Sequence, residues 1–311
     1  MSQYCFGVDV GGTSVKLGLF DKEGTMLDKW EVKTRTTESG THILPDAAAS
    51  ILAKMKEKSL SKEDILGVGV GVPGPVDGAG CVSTAVNLGW SFMNVKATME
   101  ELLGMHVEAG NDANVAALGE MWRGGGQGHK NLVAVTLGTG VGGGIIINGH
   151  ILTGINGSAG EIGHVHVEDA ETEVCCCGNK GCLEQFSSAT GIVRLAKRTM
   201  EATQKATILS TEQLSAKSVF DAVKAGDEVA IEIAEQFGAY LGKALAVVAG
   251  VIDPEIFVIG GGVSKAGEVI LTYIKKYYIP NVFVGSRNAI FALATLGNDA
   301  GIYGAARMVL E

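Results

Sequence analysis

The sequence predicts an α/β fold with mixed sheets, on three observations. Residues 4–10 run from Tyr4 through alternating side chains into Gly11 and Gly12, after which Val15, Leu17 and Leu19 alternate again up to turn residues at 21–24. That is strand, glycine turn, strand. The same plan recurs where 132–137 leads into the glycine-rich 138–144 and the apolar 145–147, with Asn148 and Gly149 making the next turn. Helical patterns and buried-looking strands, including 65–72 and 255–259, follow each hairpin. Two matching hairpins predict a duplicated architecture, and a simple parallel dinucleotide-binding sheet fits them poorly.

The other elements follow from periodicity. The stretch RGGGQGHKN at 123–131 reads as a flexible connection at a domain boundary, with a hinge beside it. Over 227–251, Ala230, Ile233, Ala234, Phe237, Leu241, Leu245 and Val248 recur at helical spacing, which predicts a long, mostly buried helix. The last segment, 299–310, reads as a short helix with Asp299 as its cap.

Composition limits the function classes. At 311 residues and 46 % hydrophobic, the chain can bury a core in each of two domains. A net charge of −9 with 19 % charged residues argues against nucleic-acid and anionic-membrane partners, so small molecules are expected. The first 16 residues hold Asp9 and a glycine turn in place of a basic segment and an apolar run, so no secretory signal and a cytoplasmic location are expected. The most apolar long stretch, 244–262, is broken by Asp253, Pro254 and Glu255 and cannot span a bilayer. Cys5 and Cys81 are isolated and read as reduced core residues.

His164, Cys175, Cys177 and Cys182 fall within nineteen residues, bracketed by Glu161 and Glu184. Two thiols near one turn, a third returning and an upstream histidine make the Cys3His set that suits tetrahedral Zn2+. Four protein ligands leave no open position, so the zinc would be structural. The alternative is a group of reduced surface thiols or a disulfide.

Backbone N–H groups in glycine turns approach phosphate closely because no Cβ intervenes. Asp9, Gly11, Gly12, Thr13 and Lys16 form one candidate cradle, Gly138, Thr139 and Gly140 a second, and Gly261 with Gly262 a third that opens space for a nucleotide. Asp9 would hold Mg2+ directly or through water. Neither hairpin turn is a P-loop, because a strand follows where that motif needs a helix. Each alone is equally a tight hairpin turn, and Lys16 is either a phosphate ligand or a solvated strand residue.

Asn111 and Asp112 lie where a strand pattern, 106–109, gives way to a helical pattern at Ala113. Asp112 is a candidate general base for a substrate hydroxyl, with Asn111 hydrogen-bonding a neighbouring hydroxyl; the alternative is that Asp112 only caps the helix. Asn87, Glu161, His164 and Glu184 are side chains suited to a polyol, whose hydroxyls each donate and accept. His164 has two nitrogens, one for zinc and one for a hydroxyl. Asn87 and Glu184, taken singly, also read as loop-surface residues.

Together DVGGTSVK at 9–16, NLGW at 87–90, GNDAN at 110–114, LGTGVGGG at 137–144, EIGH at 161–164 and CxCGxxGCxE ending at Glu184 resemble the ROK family of sugar kinases and sugar-responsive repressors, and within it the bacterial ATP-dependent glucokinases. The resemblance spans nearly the whole chain. It implies the actin-like ATPase (ribonuclease H-like) fold, two α/β domains with a cleft between them that closes around ATP and sugar. The family pattern implies a small domain of 1–122 plus 298–311 and a large domain of 123–297. It also implies Asp112 as the base at the sugar 6-hydroxyl, with Asn87, Asn111, Glu161, His164 and Glu184 holding glucose. ATP with Mg2+, a structural zinc and a homodimer are further implications. One departure is Cys176, which fills the x of CxC and makes three consecutive thiols. Other hexoses (N-acetylmannosamine, allose, mannose, fructose) and a polyphosphate donor are the nearest alternatives. A sugar-binding regulator would need a helix-turn-helix ahead of the first strand, and an assembly ATPase would need no zinc loop.

Overall fold

The structure is a computed structural model in which residues 3–310 are described, so residues 1, 2 and 311 of the expected domain ranges lie outside the description. In chain order the strands and helices are β1 (Tyr4–Val10), β2 (Ser14–Asp21), β3 (Met26–Lys33), α1 (Ile43–Glu57), β4 (Ile65–Val72), β5 (Cys81–Val82), β6 (Met93–Asn94), α2 (Val95–Leu103), β7 (Val107–Asn111) and α3 (Asp112–Arg123). There follow β8 (Leu132–Leu137), β9 (Val141–Ile147), β10 (His150–Ile151), α4 (Glu184–Ser187), α5 (Ala189–Ala202), α6 (Ala216–Lys224), α7 (Glu228–Ile252), β11 (Ile256–Gly260), α8 (Glu268–Tyr278), β12 (Ile290–Leu293) and α9 (Ala300–Met308). Two five-stranded sheets have orders β3-β2-β1-β4-β7 and β10-β9-β8-β11-β12. The orders are one plan used twice, a hairpin extended on one side by a third strand and on the other by two later ones. β4 and β7 in the first sheet, and β11 and β12 in the second, join in parallel.

The chain divides into two compact units, one of residues 1–130, 144–160 and 296–311, the other of 131–143 and 161–295. Residues 123–130 and 144–160 thus lie in the first unit, where the sequence expectation had grouped them with the second.

In the first unit, strand alternation sorts β1 onto two faces. Phe6, Val8 and Val10 meet Ile43, Ala47 and Ile51 of α1 in an apolar core. The opposite face carries Cys5, Gly7 and Asp9, and β4 repeats the pattern with Gly67, Gly69 and Gly71. The glycines are there because α9 lies on this face at backbone distance: a Cβ on Gly69 would stand 1.7 Å from the Ala305 carbonyl oxygen, and one on Gly7 2.0 Å from that of Ile302. Gly304 does the same toward α3, where a Cβ would stand 1.7 Å from the Val115 carbonyl oxygen.

In the second unit β8 and β11 run in parallel register from Leu132↔Ile256 to Thr136↔Gly260, which sets the ends of both strands side by side. The long helix read from periodicity is α7, capped by Asp227, whose carboxylate accepts from the Ala230 N–H, and the seven apolar positions named above are buried, while Val247 and Val251 are exposed. Among the described residues no helix is long and apolar enough to cross a membrane.

Several local expectations are corrected. The 123–131 stretch is no loose linker: Gly125 and Gly126 N–H donate to Glu120, and Gln127 and His129 N–H to carbonyls within the segment. Gly142 to Gly144 lie inside β9, and a Cβ on Gly144 would stand 2.5 Å from that of Ala117. Asp299 stands at the start of α9 but does not cap it, because Lys29 holds its carboxylate at 2.9 Å. Cys5 is buried as expected, whereas Cys81 is half-buried on the short strand β5.

Candidate active site and metal cluster

In the first unit the β1–β2 turn is closed by Gly11 N–H donating to the Ser14 carbonyl at 3.0 Å and pinned by the Thr34 hydroxyl on the Gly11 carbonyl at 2.6 Å. Thr13 is exposed at its tip, and Gly12 lies beside Asn87, whose Cβ would be 4.0 Å from a Cβ there. Asp9 faces the first turn of α9, where a Cβ on Gly301 would come 2.6 Å from its Cγ. Burial pushes the Asp9 carboxyl above its ordinary value, offset in part by Lys16. Lys16 is not simply solvated: its ammonium donates to the Asn298 carbonyl at 3.1 Å and lies 4.0 Å from Asp9, which leaves further N–H donors on the ammonium.

Asn87 is exposed in a short turn, Val86–Leu88, that ends on Gly89 at φ +80°, a conformation glycine adopts without strain. Buried Trp90 anchors that turn by donating from Nε1 to the Gly40 carbonyl at 3.1 Å. At the end of β7 the N-cap of α3 is Asn111, not Asp112. Its Oδ1 accepts from the N–H groups of Ala113 and Asn114, while Nδ2 donates to the Gly74 carbonyl and to Asp112 Oδ1. Asp112 is the first helical residue, and its Oδ1 also accepts from Ala113 N–H at 2.8 Å. Both amide hydrogens of Asn111 therefore have internal acceptors, one of them Asp112 Oδ1.

In the second unit the turns at 138–140 and 261–262 lie together, since a Cβ on Gly261 would meet the Leu137 carbonyl oxygen at 2.4 Å. Both follow the C-terminal ends of adjacent parallel strands, where open α/β sheets bind nucleotides. Gly138 accepts from Ala189 N–H, and the Thr139 carbonyl from the Thr190 hydroxyl at 2.7 Å, which ties the turn to the start of α5. A cavity of about 350 Å³ is lined here by Thr139, Gly140, Cys176, Glu184, Thr190 and others.

The Cys/His set comes together as the spacing predicts. One ligand atom each from His164, Cys175, Cys177 and Cys182 lies within 4.8 Å of the others. Cys177 and Cys182 sulfurs are 3.6 Å apart and Cys175 Sγ is 3.7 Å from His164 Nδ1. A tetrahedron with Zn–S and Zn–N bonds of the usual length has edges of about 3.5–3.8 Å, so these residues fit the metal. Without a cation, burial pushes the Cys175 and Cys182 thiols above the ordinary cysteine value, while the Asn179 N–H holds Cys177 below it. A bound dication would reverse the burial effect. His164 Nδ1 faces the sulfurs and Nε2 faces Glu161, 3.9 Å away. Burial works against the charge of Glu184, but hydrogen bonds from the Cys175 and Cys176 thiols, with the electrostatic effect of the His164 ring, outweigh it and hold the carboxyl below its ordinary value.

Sequence reasoning missed what stiffens this loop. Glu171 is buried, accepts from the N–H groups of Thr172 and Glu173, and pairs with Arg194 and Arg198 of α5. Gln185 accepts from Cys182 N–H and donates to the Glu173 carbonyl, both at 3.0 Å. The only sequence signal was an acid-rich run before the cysteines, facing an arginine pair at i and i+4 on a helix.

A family model described as the ROK family matches residues 5–311. A glucokinase of Halalkalibacterium halodurans is 43% identical over 98% of this chain and 94% of its own length. A glucokinase of Thermotoga maritima is 36% identical over 98% and 96%. Among solved structures, a ROK family glucokinase from Streptomyces griseus in complex with glucose and AMPPNP is similar at a TM-score of 0.75 and 35% identity, covering 98% of each chain. The duplicated sheets are accordingly those of the actin-like ATPase fold. With a match over almost every residue and both glycine hairpins in place, the chain belongs to the ROK family.

Proposed function

We propose that the protein is an ATP-dependent glucokinase, transferring the γ-phosphoryl group of ATP to the 6-hydroxyl of glucose. The observation that carries this reading is the 43% identity, over 98% of the chain, to a protein named glucokinase. In the proposed reaction Asp112 takes the proton of the 6-hydroxyl as that oxygen bonds to the γ-phosphorus. The bond from phosphorus to the β,γ-bridging oxygen breaks, and ADP leaves with that oxygen. The held Oδ1 of Asp112 supports this role, because a base fixed by two donors loses little orientation entropy in the reaction. Asn87, Glu161, His164 and Glu184 are the proposed glucose ligands, and Asn111 positions the base.

The turns at 11–13, 138–140 and 261–262 supply N–H groups for the ATP phosphates in this reading. Asp9 accounts for Mg2+ through water: Lys16 and the start of α9 surround the carboxylate, which favours an indirect contact. Zn2+ on His164, Cys175, Cys177 and Cys182 would hold the 161–184 loop in shape. His164 Nδ1 would then serve the metal and Nε2 a sugar hydroxyl. A cytoplasmic homodimer acting on a small sugar and ATP, without nucleic acid, completes the proposal.

The test is a coupled assay with Mg-ATP against glucose, mannose, fructose, allose and N-acetylmannosamine, comparing kcat/KM. Preference for glucose supports the proposal. Preference for another hexose moves the substrate, and no turnover with any of them removes the kinase reading.

A further inference from the structure

A second set of metal-binding side chains shares one residue with the first. His164, Cys176 and Glu184 also bring one ligand atom each within 4.8 Å of one another. The two sets differ in access: in the first, Cys175 is 5 % exposed and Cys182 1 %, with Cys177 the exposed thiol, whereas the second has no buried member, Cys176 being exposed and His164 and Glu184 half-buried. Glu184 Oε1 links them, lying 3.1 Å from Cys176 Sγ, 2.9 Å from Cys175 Sγ and 3.8 Å from His164 Nδ1. The same ring nitrogen faces the Cys175 sulfur at 3.7 Å, so His164 Nδ1 cannot serve an ion in each set at once.

We infer that Cys176, Glu184 and His164 form a port through which zinc enters and leaves the closed four-ligand site. The inference rests on the zinc reading. A closed site with two buried sulfurs needs an entry path over exposed ligands, and zinc tolerates a fifth ligand, so an incoming donor adds before another departs. Sulfur, carboxylate oxygen and imidazole nitrogen are all zinc donors. An incoming ion binds Cys176, Glu184 and His164 with water completing its shell. Cys175, Cys177 and Cys182 would then displace Cys176, Glu184 and water while His164 stays bound, each entering thiol releasing its proton to solvent and Cys176 taking back from solvent the proton it lost on binding. The extra cysteine in the CCC string is thus a transfer ligand, neither idle nor a competitor for the final site.

The experiment measures two quantities on the full-length protein: zinc bound per chain at equilibrium, and the rate at which a chromophoric chelator withdraws it. For Cys176→Ser the port predicts wild-type zinc content and withdrawal slower by about tenfold, the scale on which groups beside a closed ligand set affect a metal site. Cys177→Ser should lose the zinc itself. Wild-type withdrawal by Cys176→Ser overturns the port and leaves the zinc site standing. Loss of zinc by Cys176→Ser also overturns it, by making Cys176 a permanent ligand. Wild-type protein without zinc overturns the zinc reading and the port with it.

Discussion

Asn111 Nδ2 donates to Asp112 Oδ1 at 3.1 Å while the Asn111 Oδ1 accepts the first N–H groups of α3. The helix cap and the proposed base are therefore one assembly, and neighbouring side chains can be tested for separate effects on stability and turnover.

Asp112→Asn keeps the size and most of the hydrogen bonds of the base but cannot take a proton. It should bind glucose within severalfold of wild type by calorimetry and lose about 10^2 to 10^4 in kcat. A variant turning over near the wild-type rate would remove Asp112 from the proposed role.

Asn111→Ser retains a cap acceptor and deletes the donor to Asp112, whereas Asn111→Ala deletes both. The serine variant should stay close to wild type in thermal unfolding yet lose kcat; the alanine variant should in addition lose about 1 kcal/mol of stability, the usual cost of an N-cap. Equal kcat in wild type and Asn111→Ser would show that the amide does not orient the base.

Removal of the proposed zinc should loosen the loop more than the sheet. Hydrogen exchange is expected to rise over 161–184 after chelation and to recover on adding Zn2+, with β8 and β11 unaffected. Uniform exchange changes along the whole chain would contradict a local structural role.

Burial raises the Glu171 carboxyl, but Arg198, the Glu173 N–H and Arg194 overcome it and hold the group at about 2, below an ordinary 4.5. A depressed carboxyl stabilises the fold fully above its unfolded value and loses that contribution as pH falls toward the folded one. Glu171→Gln should therefore cost roughly 3 kcal/mol at neutral pH, as for a broken buried pair. The gap to wild type in urea unfolding should close as pH falls from about 4.5 toward about 2. A gap independent of pH would assign the effect to packing.

Gly69→Ala places a Cβ 1.7 Å from the Ala305 carbonyl oxygen, so α9 must shift. The cost should be at least about 1–3 kcal/mol, typical of overpacking. Gly78→Ala, with nothing within 4 Å of its Cβ, is the control and should be close to neutral.

Much was legible in the sequence because its causes are local. Alternation into Gly11 and Gly12 determines a tight hairpin, and the recurrence at 132–147 announced the duplicated sheet plan. The apolar spacing of α7 needs only helical geometry to be read, and CxCGxxGC brings its sulfurs near one turn whatever surrounds it. Other features were visible but could not be interpreted from the sequence, such as the alternate glycines of β4, whose meaning depends on what lies against them.

What only the tertiary structure decided are the meetings of residues distant in sequence, or choices between near neighbours that spacing cannot separate. Lys16 meets the Asn298 carbonyl, Asp299 is drawn to Lys29 instead of its own helix, and Gly7 and Gly69 face a helix from the far end of the chain. Asn111 takes the cap and leaves Asp112 inside the first turn, although both residue types cap helices equally well. The sequence by itself determined which residue types recur at which spacing. The three-dimensional packing decided which donor each acceptor meets, because a hydrogen bond or metal ligand depends on angstroms and direction, and chain order fixes neither beyond a few residues.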